Sequence, residues 1–219
     1  MACSWRPRTH TGRRYWFHLH TVHTHGRSTV REYLKLAYDL GIGQVVFLEH
    51  VRRHPSYGTR EFVEEVSAEA ASVGLEAYVG FEAKILPGAR LDIDEQVLES
   101  ADVIGIAEHA YLGSADSMAV DFVNLVGSVT KQYPQQSFVW VHPGAWLWRS
   151  GDPAAGRAYR RMIDAALGAG VRIERNLKYD VVSADDFHAL TPEARVLGLD
   201  AHSVDEAQAR WATILDVED

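Results

Sequence analysis

Short apolar segments typical of strands alternate with longer segments of helical periodicity along nearly the whole chain. The apolar segments are rich in β-branched and aromatic residues, as buried strands are. Seven of them are predicted, at 15–20, 44–50, 75–86, 102–109, 138–142, 171–177 and 196–202. Strands that alternate with helices of ten to twenty residues favour a parallel sheet with right-handed crossovers. The pattern therefore predicts an α/β fold.

Start and stop signals mark several of the predicted helices. Thr29 and Glu32 have the spacing of a capping box, and Asp92 and Glu95 have the spacing of a weaker one. Glycines stand where the C-caps of three helices are expected, because glycine readily adopts a positive φ. These are Gly41, Gly74 and Gly170.

Imidazole and carboxylate side chains recur at or just beyond the ends of the predicted strands. They are His18, His20, His25, His50, Glu82, His109, His142, Asp200 and His202. These groups are typical ligands of zinc, iron or manganese. Parallel strands in an α/β protein gather their carboxyl ends around one pocket, so we expect one metal centre there. Ligands at both extremes of the chain meet only if the sheet closes into a barrel.

Composition restricts the class of protein. Apolar residues make up 47% and charged residues 24% of the 219 residues, which is typical of one globular domain. We assign 1–14 to a basic N-terminal extension and 15–219 to a single domain. The only cysteine, Cys3, excludes an internal disulfide. No apolar run is long enough for a membrane span or a signal peptide, so we expect a cytoplasmic protein.

The strand-end motifs resemble those of the PHP family, named for polymerase and histidinol phosphatase. The motifs are His18-Leu-His20, His25-Gly, Leu48-Glu-His50, Gly80-Phe-Glu82, Ala107-Glu-His109, Val141-His142-Pro-Gly and Leu199-Asp200-Ala-His202. This resemblance covers about residues 15–205. It implies a distorted (β/α)7 barrel with two or three divalent ions, such as Zn, Mn or Fe, at the C-terminal ends of the strands. The compact chain is similar to stand-alone members of the family, such as the histidinol-phosphatase and nucleotide-phosphatase types.

The resemblance also implies roles for individual residues. His18 and His20 would bind one ion, and Glu82 would bridge two. His25 stands where many relatives have aspartate, and Asp200 and His202 would complete the centre. We expect Glu82, Asp200 and His202 to lie at the reacting phosphate.

Positively charged and aromatic residues near the predicted centre are candidates for substrate binding. Arg52 and Arg53 directly follow His50, and Lys84 lies two residues beyond Glu82 on the same strand face. Asn176 or Lys178 can face the pocket from the end of the sixth strand. Two tryptophans and a tyrosine near ligand motifs either stack on the substrate or pack against helices. They are Trp146, Trp148 and Tyr111.

The function that we predict is hydrolysis of a small-molecule phosphomonoester, by attack of a metal-bound hydroxide on phosphorus. Histidinol phosphate, sugar phosphates and nucleotides are the substrate types considered. A nuclease or phosphodiesterase is the second possibility, but the net charge of −8 argues against a polynucleotide partner. A metal-dependent lyase or redox enzyme on the same scaffold, or a degenerate binding module, is the third.

Overall fold

A closed parallel sheet forms the centre of the protein. The computed structural model describes Trp5 and residues 14–218, with side chains as far as Ile214. The strands are β1 Tyr15–Leu19, β2 Gln44–His50, β3 Glu76–Leu86, β4 Arg90–Leu91, β5 Val103–Ala107, β6 Ser137–Trp140, β7 Arg172–Asn176 and β8 Arg195–Gly198. All but β4 follow one another in the sheet in chain order and pair in parallel. The unpredicted β4 pairs antiparallel with the end of β3.

Helices connect the parallel strands around the outside of the sheet. They are α1 Val30–Asp39, α2 Thr59–Val73, α3 Glu95–Ser100, α4 Ala115–Gln132, α5 Ala145–Ser150, α6 Ala155–Gly168, α7 Ala184–Ala189 and α8 Val204–Glu218, with a 3₁₀ turn at Pro192–Ala194. No helix in the described part of the chain is long and apolar enough to span a membrane.

The caps of these helices test the sequence signals. The Thr29–Glu32 capping box is confirmed at the start of α1. The predicted Asp92–Glu95 box is wrong, because Asp94 is the N-cap of α3 and accepts a hydrogen bond from Gln96 N. Three glycines, each at the C-cap or the residue after it, have positive φ, as predicted. They are Gly41, Gly74 and Gly170.

Backbone hydrogen bonds close the barrel between β1 and the segment after β8. Leu199 N donates to Phe17 O at 2.9 Å, and Ala201 N donates to His18 O at 3.0 Å. In return, His20 N donates to Ala201 O at 2.9 Å. The predicted distorted (β/α)7 barrel is therefore confirmed, and β1 meets the segment after β8 to close it.

Two apolar clusters lie on either side of the barrel wall. The larger cluster packs the helices against the outside of the sheet. The smaller cluster fills the interior with Trp5, Phe17, Val46, Leu48, Val103, Ala107, Val139, Val141 and Val196. The Trp5 ring stacks on Phe17 with centroids 5.1 Å apart, so this residue of the predicted N-terminal extension belongs to the barrel core. The remainder of that extension, apart from Arg14, and the lone Cys3 lie outside the described residues.

A bulge in β1 turns the first two histidines inward. Phe17 packs in the interior cluster, so strict alternation would direct His18 and His20 outward. His18 instead has φ 71°, and the pairing of β1 with β2 shifts register between Phe17 and Leu19. The extra residue changes the alternation, as bulges do. Leu19 consequently packs in the outer cluster, while the rings of His18 and His20 lie 5.0 Å apart within the barrel.

Candidate metal centre

An open cavity of about 610 Å³ lies at the C-terminal ends of the strands. Most of the metal-binding side chains predicted from the sequence line it. They are His25, His50, Glu82, His109, His142, Asp200 and His202. His18 and His20 are fully buried and contact the Glu82 carboxylate in its floor. The fold thus brings all nine predicted residues to one end of the barrel.

The Glu82 carboxylate lies at the centre of five imidazole rings. One oxygen, Oε2, is 3.3 Å from His18 Nε2, 3.6 Å from His20 Nε2 and 3.0 Å from His50 Nδ1. The other, Oε1, is 3.4 Å from His109 Nδ1 and 2.9 Å from His142 Nε2. Glu82 is only 2% exposed, so these neighbours, rather than water, must stabilise its negative charge.

Asp200 provides a second carboxylate on the β8 side of the cavity. Its Oδ1 lies 3.6 Å from His20 Nε2 and 3.6 Å from His202 Nδ1. The same oxygen accepts a hydrogen bond from Lys178 Nζ at 3.0 Å, and Oδ2 accepts one from Asn176 Nδ2 at 3.1 Å. Asp200 therefore faces two imidazoles and is held in place by two residues near the end of β7.

The separations between these donor atoms suit shared metal ions. Two ligands at about 2.0–2.1 Å from one tetrahedral ion lie about 3.3 Å apart, close to the distances around Glu82. Four groups of three donors are compact enough to hold an ion. They are His20–His50–His202, His18–Glu82–His142, His18–His20–Asp200 and His50–Glu82–His109. Neither ring nitrogen of buried His20 has a hydrogen-bond partner among the described residues, and a bound metal ion would coordinate one of them.

Electrostatics favour ionised carboxylates and at least two neutral imidazoles. Burial raises the pKa of Glu82, but hydrogen bonds from His142, His18 and His50 outweigh it and hold the pKa well below its usual range. Burial lowers the pKa of His20 well below 6.5, and the neighbouring histidines reinforce this. Burial and His142 lower the pKa of His109 to about 4. A neutral imidazole has a free lone pair, which is the form that binds metal.

Three of the candidate ligands have a positive φ, a backbone conformation that residues other than glycine rarely adopt. The φ angles are 71° at His18, 33° at His142 and 48° at Asp200. Such conformations cost on the order of 1–3 kcal/mol each and persist where surrounding contacts enforce them. At each position the unusual φ lies at or just beyond a strand end and directs the side chain toward Glu82 or His20. This clustering of strain is typical of functional sites.

Glu174 is a site residue that the sequence reasoning missed. It lies on β7, is fully buried and accepts a hydrogen bond from His18 Nδ1 at 2.6 Å. Its other oxygen accepts from His142 N at 2.6 Å and from Asn176 Nδ2 at 3.0 Å. A carboxylate that holds the far ring nitrogen of a histidine fixes its tautomer and orientation. The alternation along β7 could have indicated Glu174. Ile173 faces the outer cluster, so Glu174 and Asn176 face the interior.

Gly198 provides the space that Glu174 occupies. A Cβ atom at this position would lie 1.7 Å from Glu174 Oε1 and 2.4 Å from its Cδ. Gly198 pairs with Asn176 in the β7–β8 register, and the Glu174 side chain from two residues earlier on β7 fills the space where its Cβ would lie. Because Gly198 has no side chain, Glu174 can reach His18.

Two further buried glutamates precede candidate ligands and hold the loops around the cavity. Glu49 accepts hydrogen bonds from Thr21 N at 2.5 Å and from Thr24 Oγ1, and so holds the loop that carries His25. Glu108 accepts from Trp140 Nε1 at 3.0 Å and from the backbone after β6. Burial raises the pKa of Glu108 to about 7.

The predicted substrate-binding residues divide between two cavities. Arg52, Lys84 and Lys178 line the metal-centre cavity. Arg53 does not; it lines a separate cavity beside α3, and its backbone N donates to Asp92 Oδ1. His25 lines the cavity with its ring 5.2 Å from that of His50, but it is outside the four compact donor groups found among the described residues.

The aromatic residues near the site pack in different ways. Trp146 borders a smaller cavity beside the metal centre, with its ring 5.7 Å from Tyr111. Trp148 is 52% exposed and packs against Tyr159, with centroids 5.4 Å apart. The Tyr111 hydroxyl donates to Asp121 Oδ2 at 2.6 Å. Of the three, Trp146 alone lines a cavity adjoining the candidate ligands.

Comparison with known families identifies the relationship. The model of the PHP domain matches residues 17–176, a range that contains seven of the nine candidate ligands. The chain belongs to the PHP domain family. A comparison with curated protein sequences finds no significant match.

Solved structures that match this chain include three proteins. Histidinol phosphate phosphatase from Lactococcus lactis subsp. lactis Il1403, solved with Zn, L-histidinol and phosphate, matches with a TM-score of 0.61 and 15% identity over 93% of each chain. A proposed metal-dependent phosphoesterase from Bifidobacterium adolescentis ATCC 15703 matches at TM-score 0.30 and 14% identity, over 95% of this chain and 65% of that one. D-Hydantoinase from Bacillus sp. AR9 matches at TM-score 0.35 and 13% identity, over 86% and 57%. At 15% identity, the similarity to the histidinol phosphate phosphatase structure supports the barrel fold.

Proposed function

We propose that this PHP protein is a metal-dependent phosphoesterase that hydrolyses a small-molecule phosphomonoester. The observation that carries the proposal is the position of Glu82, whose two oxygens face five imidazole nitrogens at 2.9–3.6 Å in the floor of an open cavity. A buried carboxylate surrounded in this way has the donor set of a bridging ligand between two ions.

The arrangement of carboxylate oxygens favours three ion positions. Glu82 Oε2, Glu82 Oε1 and Asp200 Oδ1 each face at least two imidazole nitrogens. We assign nine residues to hold the ions, and we place His25 at the rim of the centre. The assigned ligands are His18, His20, His25, His50, Glu82, His109, His142, Asp200 and His202.

Bound zinc, manganese or iron would neutralise phosphoryl oxygens and lower the pKa of a coordinated water toward about 7. The side chains of the cavity would position the substrate. Arg52 and Lys84 line one side, where their charges can hold phosphate oxygens. Lys178 lines the other side and donates to Asp200, so it would also orient that carboxylate. Glu174 would keep His18 in the tautomer that directs Nε2 at Glu82.

A small substrate fits the site better than a polynucleotide does. The cavity holds about 610 Å³, which is the size of a pocket for one metabolite. The chain carries a net charge of −8, whereas proteins that bind nucleic acid present basic surfaces to the phosphate backbone. The positive charge needed for a phosphate is concentrated at the proposed ions and the few cations beside them.

Release of inorganic phosphate tests this proposal. Protein loaded with Mn or Zn is assayed on histidinol phosphate, sugar phosphates, nucleotides and bis(p-nitrophenyl) phosphate. His20→Ala should abolish turnover, whereas His188→Ala, an exposed histidine of α7, should retain it. Hydrolysis of the diester alone would favour the phosphodiesterase alternative. Silence on every ester by protein that binds metal would refute phosphoester hydrolysis and favour non-hydrolytic chemistry.

A further inference from the structure

A second, smaller cavity opens beside the metal-centre cavity. It has a volume of about 360 Å³ and is lined by His109, Ala110, Trp146, Arg149 and Tyr179. His109 and Tyr179 line both cavities, so the two are adjacent. A group attached to a phosphate at the metal centre therefore lies next to the smaller cavity.

The walls of the smaller cavity are largely aromatic. Tyr179 is 37% exposed, and its ring centroid lies 5.6 Å from that of His142. Trp146 is partly buried and is held edge-on against Tyr111. Exposed aromatic rings that border a cavity provide apolar faces on which a planar group can stack.

Arg149 adds a positive charge to this aromatic cavity. Its Cζ lies 5.2 Å from the Tyr179 ring centroid, and its Nε donates to Ala145 O at 2.8 Å. These two contacts hold the guanidinium at the cavity. In the described part of the chain no carboxylate forms an ion pair with Arg149, so its remaining N–H groups can receive an anion.

The charges around both cavities disfavour a cationic leaving group. Among the described lining residues, Glu82 and Asp200 are the only carboxylates, and both are assigned to the metal ions. Arg52, Lys84 and Arg149 contribute positive charge at the rims. An ammonium group on the substrate would meet these cations without a free carboxylate to offset them, whereas an oxyanion would be attracted.

We infer that the smaller cavity binds the leaving group of the substrate, and that this group is planar and carries a second oxyanion held by Arg149. The second oxyanion is a carboxylate or another phosphate, since both accept the guanidinium fork. This inference rests on the proposed phosphoesterase function and specifies its substrate class. It predicts a preference against histidinol phosphate, whose leaving group carries an ammonium.

Two matched esters test the inference in the metal-loaded protein. Phenyl phosphate and 4-carboxyphenyl phosphate differ by one carboxylate, and kcat/KM is measured for each with wild type, Arg149→Gln and Arg161→Gln. Arg149→Gln should lower kcat/KM for the carboxylated ester about 10- to 100-fold more than for phenyl phosphate. Arg161 is an exposed arginine of α6 outside both cavities, so its substitution should leave both values unchanged.

The outcomes separate the leaving-group site from the function itself. Equal losses on the two esters with Arg149→Gln, or no loss, would overturn the Arg149 assignment while hydrolysis stands. If Arg52→Gln, rather than Arg149→Gln, lowered kcat/KM selectively for the carboxylated ester, the second oxyanion would lie on the opposite side. That result would also overturn the Arg149 assignment. Calorimetric binding of 4-hydroxybenzoate supplies a readout without turnover. If wild type binds 4-hydroxybenzoate tightly and Arg149→Gln binds it more weakly, the leaving-group site is supported even when neither ester is hydrolysed. The missing hydrolysis would then count only against the proposed phosphoesterase function.

Discussion

Gly198→Ala places a methyl group where the Glu174 carboxylate now lies. The added Cβ would be 1.7 Å from Glu174 Oε1 and 2.7 Å from its Cγ, and the glutamate is fully buried. Glu174 must therefore give up some of its hydrogen bonds to His18, His142 and Asn176. Overpacking costs about 1–3 kcal/mol, and each lost hydrogen bond to a charged group costs about 1.5–3 kcal/mol.

We expect Gly198→Ala to lower the free energy of unfolding by about 2–5 kcal/mol in the metal-free protein. Urea unfolding measures this loss. A metal titration should also show weaker binding by about 10- to 100-fold, because His18 loses the carboxylate that orients its ring. Gly127→Ala on α4 is the matched control, since its Cβ would meet nothing within 4 Å, and it should stabilise by about 0.4–1 kcal/mol. Wild-type stability and metal affinity in Gly198→Ala would refute the role of Glu174.

Three further perturbations test other parts of the account. Arg53→Ala should leave kcat and KM unchanged, because Arg53 lines a separate cavity and not that of the metal centre, and a large rise in KM would contradict this placement. Burial raises the pKa of Glu108 from 4.5 to about 7, so its stabilising contribution is complete below pH 4.5 and is lost as pH rises through 7. The unfolding free energy of metal-free wild type relative to Glu108→Gln should accordingly fall by on the order of 3 kcal/mol across that range, and a flat difference would contradict it. Removal of metal by a chelator should lower the Tm, because ions that bind only the folded state stabilise it, and an unchanged Tm would argue against such binding.

The barrel could be predicted because its signals are local. Each of the parallel strands carries β-branched or aromatic residues, and inward and outward positions alternate along them except at the bulge in β1. His50 and Glu82 follow this alternation, since Leu48 and Gly80 before them also face the interior. The alternation therefore indicated that both side chains face the barrel interior, although Glu82 lies within β3 rather than at its end.

The departures from prediction depend on contacts between distant segments. His18 faces inward only because of a bulge at φ 71°, which no local pattern indicated. Glu174 reaches His18 only because Gly198 on a neighbouring strand leaves space. In each case a partner remote in sequence decides the conformation.

The central claim is that Glu82 and its surrounding histidines hold a multinuclear metal centre. Metal content per chain, measured by mass spectrometry after equilibration with Mn or Zn and gel filtration, tests it most directly. Wild type should retain two or three ions, His188→Ala should match it, and Glu82→Gln should lose the ions that the carboxylate bridges. Wild-type protein that retains no stoichiometric metal, or Glu82→Gln that retains as much as wild type, would contradict the account.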